Sequence, residues 1–181
     1  GPVVYQLMIN FAHDWQFTTQ EKLSGPAWFS TSAADIVEPG SGVPLRCVPS
    51  GPDSTLGSTH DMLLGALSVA QRHVRIQSPY FLPDVSLVAA LSTAARRGVL
   101  VDIVIPGANN LKLVNSAMMA QIDQLILTGC RVWRASGTFD HSKLFTVDGG
   151  WSYVGSSNLD PRSLRLNFEL DLEVYDRKLA Q

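Results

Sequence analysis

Residues 73–106 read HVRIQSPYFLPDVSLVAALSTAARRGVLVDIVIP, and their texture decides the fold. HVRIQS (73–78) alternates polar and apolar side chains with the period of a strand. Pro83 and Asp84 open a segment in which Val88, Leu91 and Ala95 return to one helical face, and Gly98 ends it. VLVDIVIP (99–106) is a β-branched run suited to an interior strand covered on both sides. A strand, a helix and a strand in that order imply a crossover connection and parallel pairing.

The same alternation extends outward. NNLKLVNSAMMAQIDQLILTG (109–129) predicts a helix stopped by Gly129, and CRVWRA (130–135) predicts the next strand. Upstream, VPLRCVPS (43–50) is a strand candidate. Ser58 or Thr59 can cap a helix whose inner face uses Met62, Leu63, Ala66, Leu67 and Ala70. After residue 135 come three strands with short connections: HSKLFTVD (141–148), WSYVGS (151–156) and FELDLEVY (168–175). Asp148-Gly149-Gly150 is a hairpin signal. The expected fold is therefore α/β, with a mixed, largely parallel sheet flanked by helices on both faces. No glycine-rich dinucleotide or P-loop signature occurs, which argues against a nucleotide-binding fold.

Two regions are expected. Residues 43–181 form the α/β unit. Residues 1–42 supply a helix, with Val4, Leu7 or Met8, Phe11 and Trp15 on one stripe, and then a linker over 18–42 marked by Gly-Pro and Pro-Gly breakers. The chain enters its first helix almost at once, so it is expected to be a piece of something longer. The 181 residues are 45% hydrophobic and 17% charged, with a formal net charge of -2. That charge speaks against a general nucleic-acid-binding surface. No apolar run is long enough to cross a bilayer. Cys47 and Cys130 are too few for a disulfide scaffold and too far apart for a metal knuckle, and read as reduced thiols.

The chemistry gathers in residues 141–158, HSKLFTVDGGWSYVGSSN. His141 and Lys143 are two apart, so on a strand they share one side of the sheet. An imidazole and an ammonium on such a face need anionic or hydrogen-bonding partners. Gly155 permits close backbone approach, while Ser157 and Asn158 add short polar groups near the rim. Together these groups describe a pocket for an oxyanion, phosphate above all. The imidazole can attack phosphorus or protonate a departing alkoxide, and no metal or cofactor is called for. Glu169 is a candidate to hold the second imidazole nitrogen and shares a face with Asp171. Asp148 suits the turn, where its carboxylate can take backbone N–H groups. The competing interpretation is a hairpin whose polar groups serve only solvent and turns. His13, His60 and His73 lack comparable surroundings, and Arg72, His73 and Arg75 read as a solvated basic edge.

These residues fit His-x-Lys-x4-Asp-x6-Gly-Ser-x-Asn through His141, Lys143, Asp148, Gly155, Ser156 and Asn158. The spacing resembles the signature of the phospholipase D superfamily. RIQSPYFLPD before it and SSNLDPRSLRLNFELDLEVYD after it are similar to the C-terminal half of bacterial cardiolipin synthases. The resemblance implies a phospholipase D-like half-domain over 43–181, with 1–42 closing an N-terminal half. It implies a phosphatidyltransferase that joins two phosphatidylglycerol units through a phosphohistidine and releases glycerol. A phospholipase using water, or a homodimeric single-motif nuclease, are the alternatives. His141 would be one of two catalytic histidines across a pseudo-twofold axis, the general acid/base where the N-terminal one is the nucleophile. Lys143 and Asn158 would clamp phosphate with help from Ser156, Glu169 would orient His141, and Asp148 would be structural. Tyr80 and Phe81 would line the route of the lipid. The implied partners are an anionic phospholipid, a missing half-domain or second copy of the chain, and a membrane surface, with nucleic acid disfavoured. The implied location is the bacterial cell membrane, peripheral or anchored through segments outside this chain.

Overall fold

The computed structural model describes residues 2–29, 42–107 and 112–181. In chain order the elements are α1 (Pro2–Thr19), β1 (Leu45–Ser50), α2 (Ser58–Val69), β2 (His73–Gln77), α3 (Val85–Arg96), β3 (Leu100–Pro106), α4 (Lys112–Leu127), β4 (Arg131–Ala135), β5 (Leu144–Val147), β6 (Trp151–Gly155), α5 (Pro161–Arg165) and β7 (Glu169–Val174). Every strand expected from periodicity is present among them. The short helix α5, hidden in NLDPRSLRL, was not expected. Residues 30–41 of the predicted linker and 109–111 of the predicted fourth helix lie outside the described residues.

The strands join one sheet in the order β1-β7-β6-β5-β2-β3-β4. Strands β2, β3 and β4 are parallel, with Ile76 opposite Ile103 and Ile103 opposite Val132. The other four pairings, β2 with β5, β5 with β6, β6 with β7 and β7 with β1, are antiparallel. The sheet is mixed as expected, but its parallel character is confined to three strands. A tight turn at Asp148 (φ 53°) and Gly149 (φ 65°) reverses the chain between β5 and β6. The first strand, β1, lies at the sheet's edge as the antiparallel partner of the last, β7.

The alternation of each strand sends one set of side chains into a single core. Val74 and Ile76, Val101, Ile103 and Ile105, Phe145 and Val147, and Tyr153 pack with Leu63 and Leu67 of α2, Leu87 and Leu91 of α3, and Met118, Ile122 and Leu125 of α4. Each such side chain stabilises the fold by about 1.5–3 kcal/mol relative to exposure. The three helices α2–α4 thus share one face, while α1 runs beside β1, where Gln6 Oε1 accepts from the Cys47 amide (3.3 Å). Helix α2 lacks the expected Ser or Thr cap. Gly57 in the left-handed region occupies the cap position, because the Thr59 hydroxyl is committed elsewhere, to the buried carboxylate of Asp171 (2.6 Å).

Candidate active site

The carboxyl ends of β2, β3, β4 and β6 and the amino ends of β5 and β7 meet at one edge of the sheet, the usual position for a site in a fold with parallel strands. Two devices fix the segments around the sheet, the first at the edge opposite this one and the second at this edge. Asp148 accepts from the backbone amides of Gln71, Arg72 and His73 (2.9, 2.8 and 2.8 Å), tying the hairpin to the start of β2. Burial works to raise its pKa, but these amides and the Arg72 charge outweigh that and hold it low.

The second device was not foreseen. Asp171 is fully buried and accepts from the hydroxyls of Thr59, Tyr153 and Ser157 (2.6, 2.9 and 2.7 Å) and from the Ser157 amide (3.1 Å). It anchors α2 and the Gly155–Asn158 loop to β7. Burial, followed by the adjacent Asp171 charge, drives the Tyr153 hydroxyl's pKa upward. Gly155 makes the arrangement possible, since a Cβ there would stand 2.0 Å from Asp171 Oδ1. The sequence signal was an Asp in mid-strand, flanked two residues away on either side by Glu169 and Glu173 on the same face.

His141 and Lys143 lie in the segment just before β5 rather than within it, so their meeting does not depend on strand alternation. The Lys143 side chain is buried (7% exposed) and its Nζ turns back to His141 Nδ1 and to the His141 carbonyl oxygen, both at 2.7 Å. An ammonium only donates, so Nδ1 acts as the acceptor and the ring hydrogen of a neutral imidazole sits on Nε2. Burial lowers the Lys143 pKa, opposed by the carboxylates of Glu169, Asp140 and Asp160. The imidazole is flanked edge-on by Tyr80 (5.9 Å between centroids) and tilted against Phe139 (5.8 Å). Asp140 braces the approach, accepting from Gln77 Nε2 (2.7 Å) and the Ser142 amide (2.8 Å).

Next to His141 a groove of about 670 Å³ is lined by Tyr80, Leu82, Asn158, Arg162, Ser163 and Leu166, among others. Asn158 Nδ2 donates to Ser163 Oγ (3.3 Å), while Asn158 Oδ1 is buried without a partner among the described residues. His141 and Asn158 therefore share one groove, and Lys143 is tied to it through His141. Ser156 is turned aside, donating to Glu169 Oε2 (2.5 Å) and accepting from the Leu170 amide (3.0 Å). Glu169 also accepts from Asn167 Nδ2 (3.1 Å), and among the described residues no hydrogen bond joins it to His141. Phe81 does not line the groove as expected. It is fully buried, bridged to Leu159, because the 78–82 loop docks on the 157–159 loop through Leu82 N to Leu159 O (2.7 Å). Leu82, Arg162, Ser163 and Leu166 were missed. They come from the 78–82 loop and from α5 with its C-cap, segments far apart in sequence, and α5 is too short to announce itself by periodicity.

Residues 63–181 match the family model described as cardiolipin synthase, PLD-like domain. The chain is 36% identical over 178 residues to cardiolipin synthase A of Klebsiella pneumoniae strain 342 and, to the same degree, of Yersinia pestis bv. Antiqua. These alignments take in 97% of this chain but 36% of each relative, so the chain spans about a third of their length. Among solved structures, Nuc of Salmonella typhimurium, a phospholipase D family member, superposes with TM-score 0.64 at 24% identity, over 77% of this chain and 88% of Nuc. Phosphatidylserine synthase of Haemophilus influenzae Rd KW20 superposes with TM-score 0.57 at 20% identity, over 75% of this chain and 35% of that one. Both share the fold.

Proposed function

Because the chain belongs to the PLD-like family of cardiolipin synthases, we propose that it supplies one half of a phosphatidyl-transferring active site. The observation that carries the proposal is that Asn158 and His141, the latter paired with Lys143, line one groove at the sheet edge. The substrate is an anionic phospholipid, phosphatidylglycerol, whose phosphodiester sits against His141 with its glycerol headgroup in the groove. One imidazole attacks phosphorus and the P–O bond to glycerol breaks. The opposing imidazolium protonates the departing alkoxide. A hydroxyl of a second phosphatidylglycerol then gives its proton to that imidazole and attacks the phosphohistidine, releasing the free histidine and the diphosphatidyl product.

In this scheme His141 is the acid/base and its counterpart nucleophile belongs to a second half-domain or a second copy of the chain. Lys143 and Asn158 neutralise charge on the non-bridging oxygens, with Ser156 and Tyr80 at the rim. Asp148 positions the hairpin. Glu169 orients His141 once phosphate draws the Lys143 ammonium off Nδ1. Residues 43–181 are the half-domain and 1–42 its connection to the rest. The lipid substrate places the work at the bacterial membrane surface. Contact through this half is peripheral in this reading. Among the described residues no helix is long and apolar enough to cross a membrane. The test uses the full-length protein. His141→Ala should abolish both the diphosphatidyl product and glycerol release from labelled phosphatidylglycerol. Unchanged turnover would end the proposal, and free phosphatidate in place of the diphosphatidyl product would make water the acceptor.

A further inference from the structure

We propose that Arg162 is a specificity-determining residue, the cation that holds the phosphodiester of the acceptor phosphatidylglycerol and so favours it over water. The proposal rests on reading the groove beside His141 as the headgroup site of a phosphatidyltransferase. Arg162 is the one lysine or arginine among the described residues that line this groove. Its backbone is pinned on both sides. The amide donates to Asp160 Oδ1 (2.8 Å), and the carbonyl accepts from the Leu166 and Asn167 amides (2.9 and 3.0 Å). The side chain is exposed, and among the described residues no carboxylate or carbonyl takes its guanidinium. Arg165, the other cation of α5, is turned instead to Asp84 Oδ2 (3.5 Å). Asp160, the carboxylate of the groove, is engaged by the Arg162 and Ser163 amides (2.8 and 3.1 Å).

Transfer uses the same place twice. Glycerol leaves it uncharged, and the acceptor's glycerol end enters it with a phosphodiester on its far carbon. The acceptor hydroxyl gives its proton to the imidazole, its oxygen bonds to phosphorus, and the P–N bond of the phosphohistidine breaks. Water can take the same step without bringing a charge. What separates the two acceptors is thus one phosphodiester, which must approach a phosphoryl group that is itself negative. Like charges so close repel, the more so as the lipid displaces water from the groove. Lys143 is not available to offset this, since its Nζ lies against His141 (2.7 Å). The unpaired guanidinium on the groove wall is, and it can donate to the phosphodiester oxygens.

The test compares the full-length parent with Arg162→Gln and Arg162→Lys on labelled phosphatidylglycerol, reading the ratio of diphosphatidyl product to free phosphatidate. That ratio is set within molecules that turn over, so a lower folded fraction does not move it. Gln should lower it about tenfold, the worth of one charge-assisted hydrogen bond. Lys, which keeps the charge, should stay within about threefold of the parent. An unchanged ratio in Gln would overturn the assignment at any total rate, as would a Lys variant as poor as Gln. No turnover of either kind in Gln would overturn it too, by moving Arg162 to the first phosphoryl group. A parent that yields phosphatidate alone would instead overturn the transferase reading on which the assignment rests.

Discussion

The ammonium of Lys143 stands 2.7 Å from Nδ1 of His141 and 2.7 Å from that residue's own carbonyl oxygen, so the cation and the imidazole are one unit before any substrate arrives. The pairing is possible because Lys143 precedes β5. Its backbone is free of the ladder, and its side chain can fold back. Burial makes the ammonium expensive to keep, and three carboxylates only partly offset this.

Removing that cation should therefore cost activity more than stability. Lys143→Met in the full-length protein is expected to lower turnover by roughly 10²-fold or more, with the melting temperature unchanged or raised. Lys143→Arg should not rescue it, because a planar guanidinium does not fit a pocket shaped for a compact ammonium. Phosphatidylglycerol turnover and thermal denaturation measured together would check both.

Asp171 and Gly155 form a second coupled pair. Asp171→Asn keeps the shape but leaves fewer acceptors for the Thr59, Tyr153 and Ser157 donors, and should destabilise the fold by about 2–4 kcal/mol. Gly155→Ala should cost about as much by driving a methyl group into the carboxylate. Urea denaturation of each variant and of the double variant would read the coupling, which should fall well short of the sum.

Asp148 carries both a turn and a clamp. Asp148→Ala removes the acceptor of three backbone amides and leaves a residue poorly suited to φ 53°, so a loss of about 2–4 kcal/mol is expected. Asp148→Asn keeps one acceptor oxygen and tolerates the left-handed conformation, and should lose about half as much. The two denaturation midpoints give the comparison.

On the sheet face away from the core, Asp102 accepts from Arg131 (2.5 Å), Trp133 (2.8 Å) and His73 (2.7 Å). Burial raises its pKa, but the Arg131, Trp133 and His73 hydrogen bonds prevail and bring it to about 2 from 3.8. A depressed carboxylate stabilises the fold above its unfolded pKa and loses that contribution as pH falls through its folded one. Asp102 should therefore contribute about 2 kcal/mol at neutral pH, lost between about pH 4 and pH 2. Asp102→Asn should remove that part of the acid limb in a stability-versus-pH series.

Much of this was legible from residue order. The alternation in HVRIQS and the branched run VLVDIVIP mark strands, Gly98 and Gly129 end helices, and the spacing of His141, Lys143, Asp148 and Asn158 points to a phosphate site and a family. Periodicity and turn chemistry act over a few residues, and these features need nothing more. Other features depended on which distant segments meet. Strand partners are chosen by packing across the whole chain, which is why an expected largely parallel sheet became one with four antiparallel pairings. Phe81 went to the core because Leu159 lay opposite it. The buried carboxylate of Asp171, the Asn158–Ser163 contact and the return of Lys143 onto His141 are made by side chains whose partners are set by three-dimensional burial. A polar group withdrawn from water takes whichever donor or acceptor the fold brings within 3 Å, and only the tertiary structure decides which one that is.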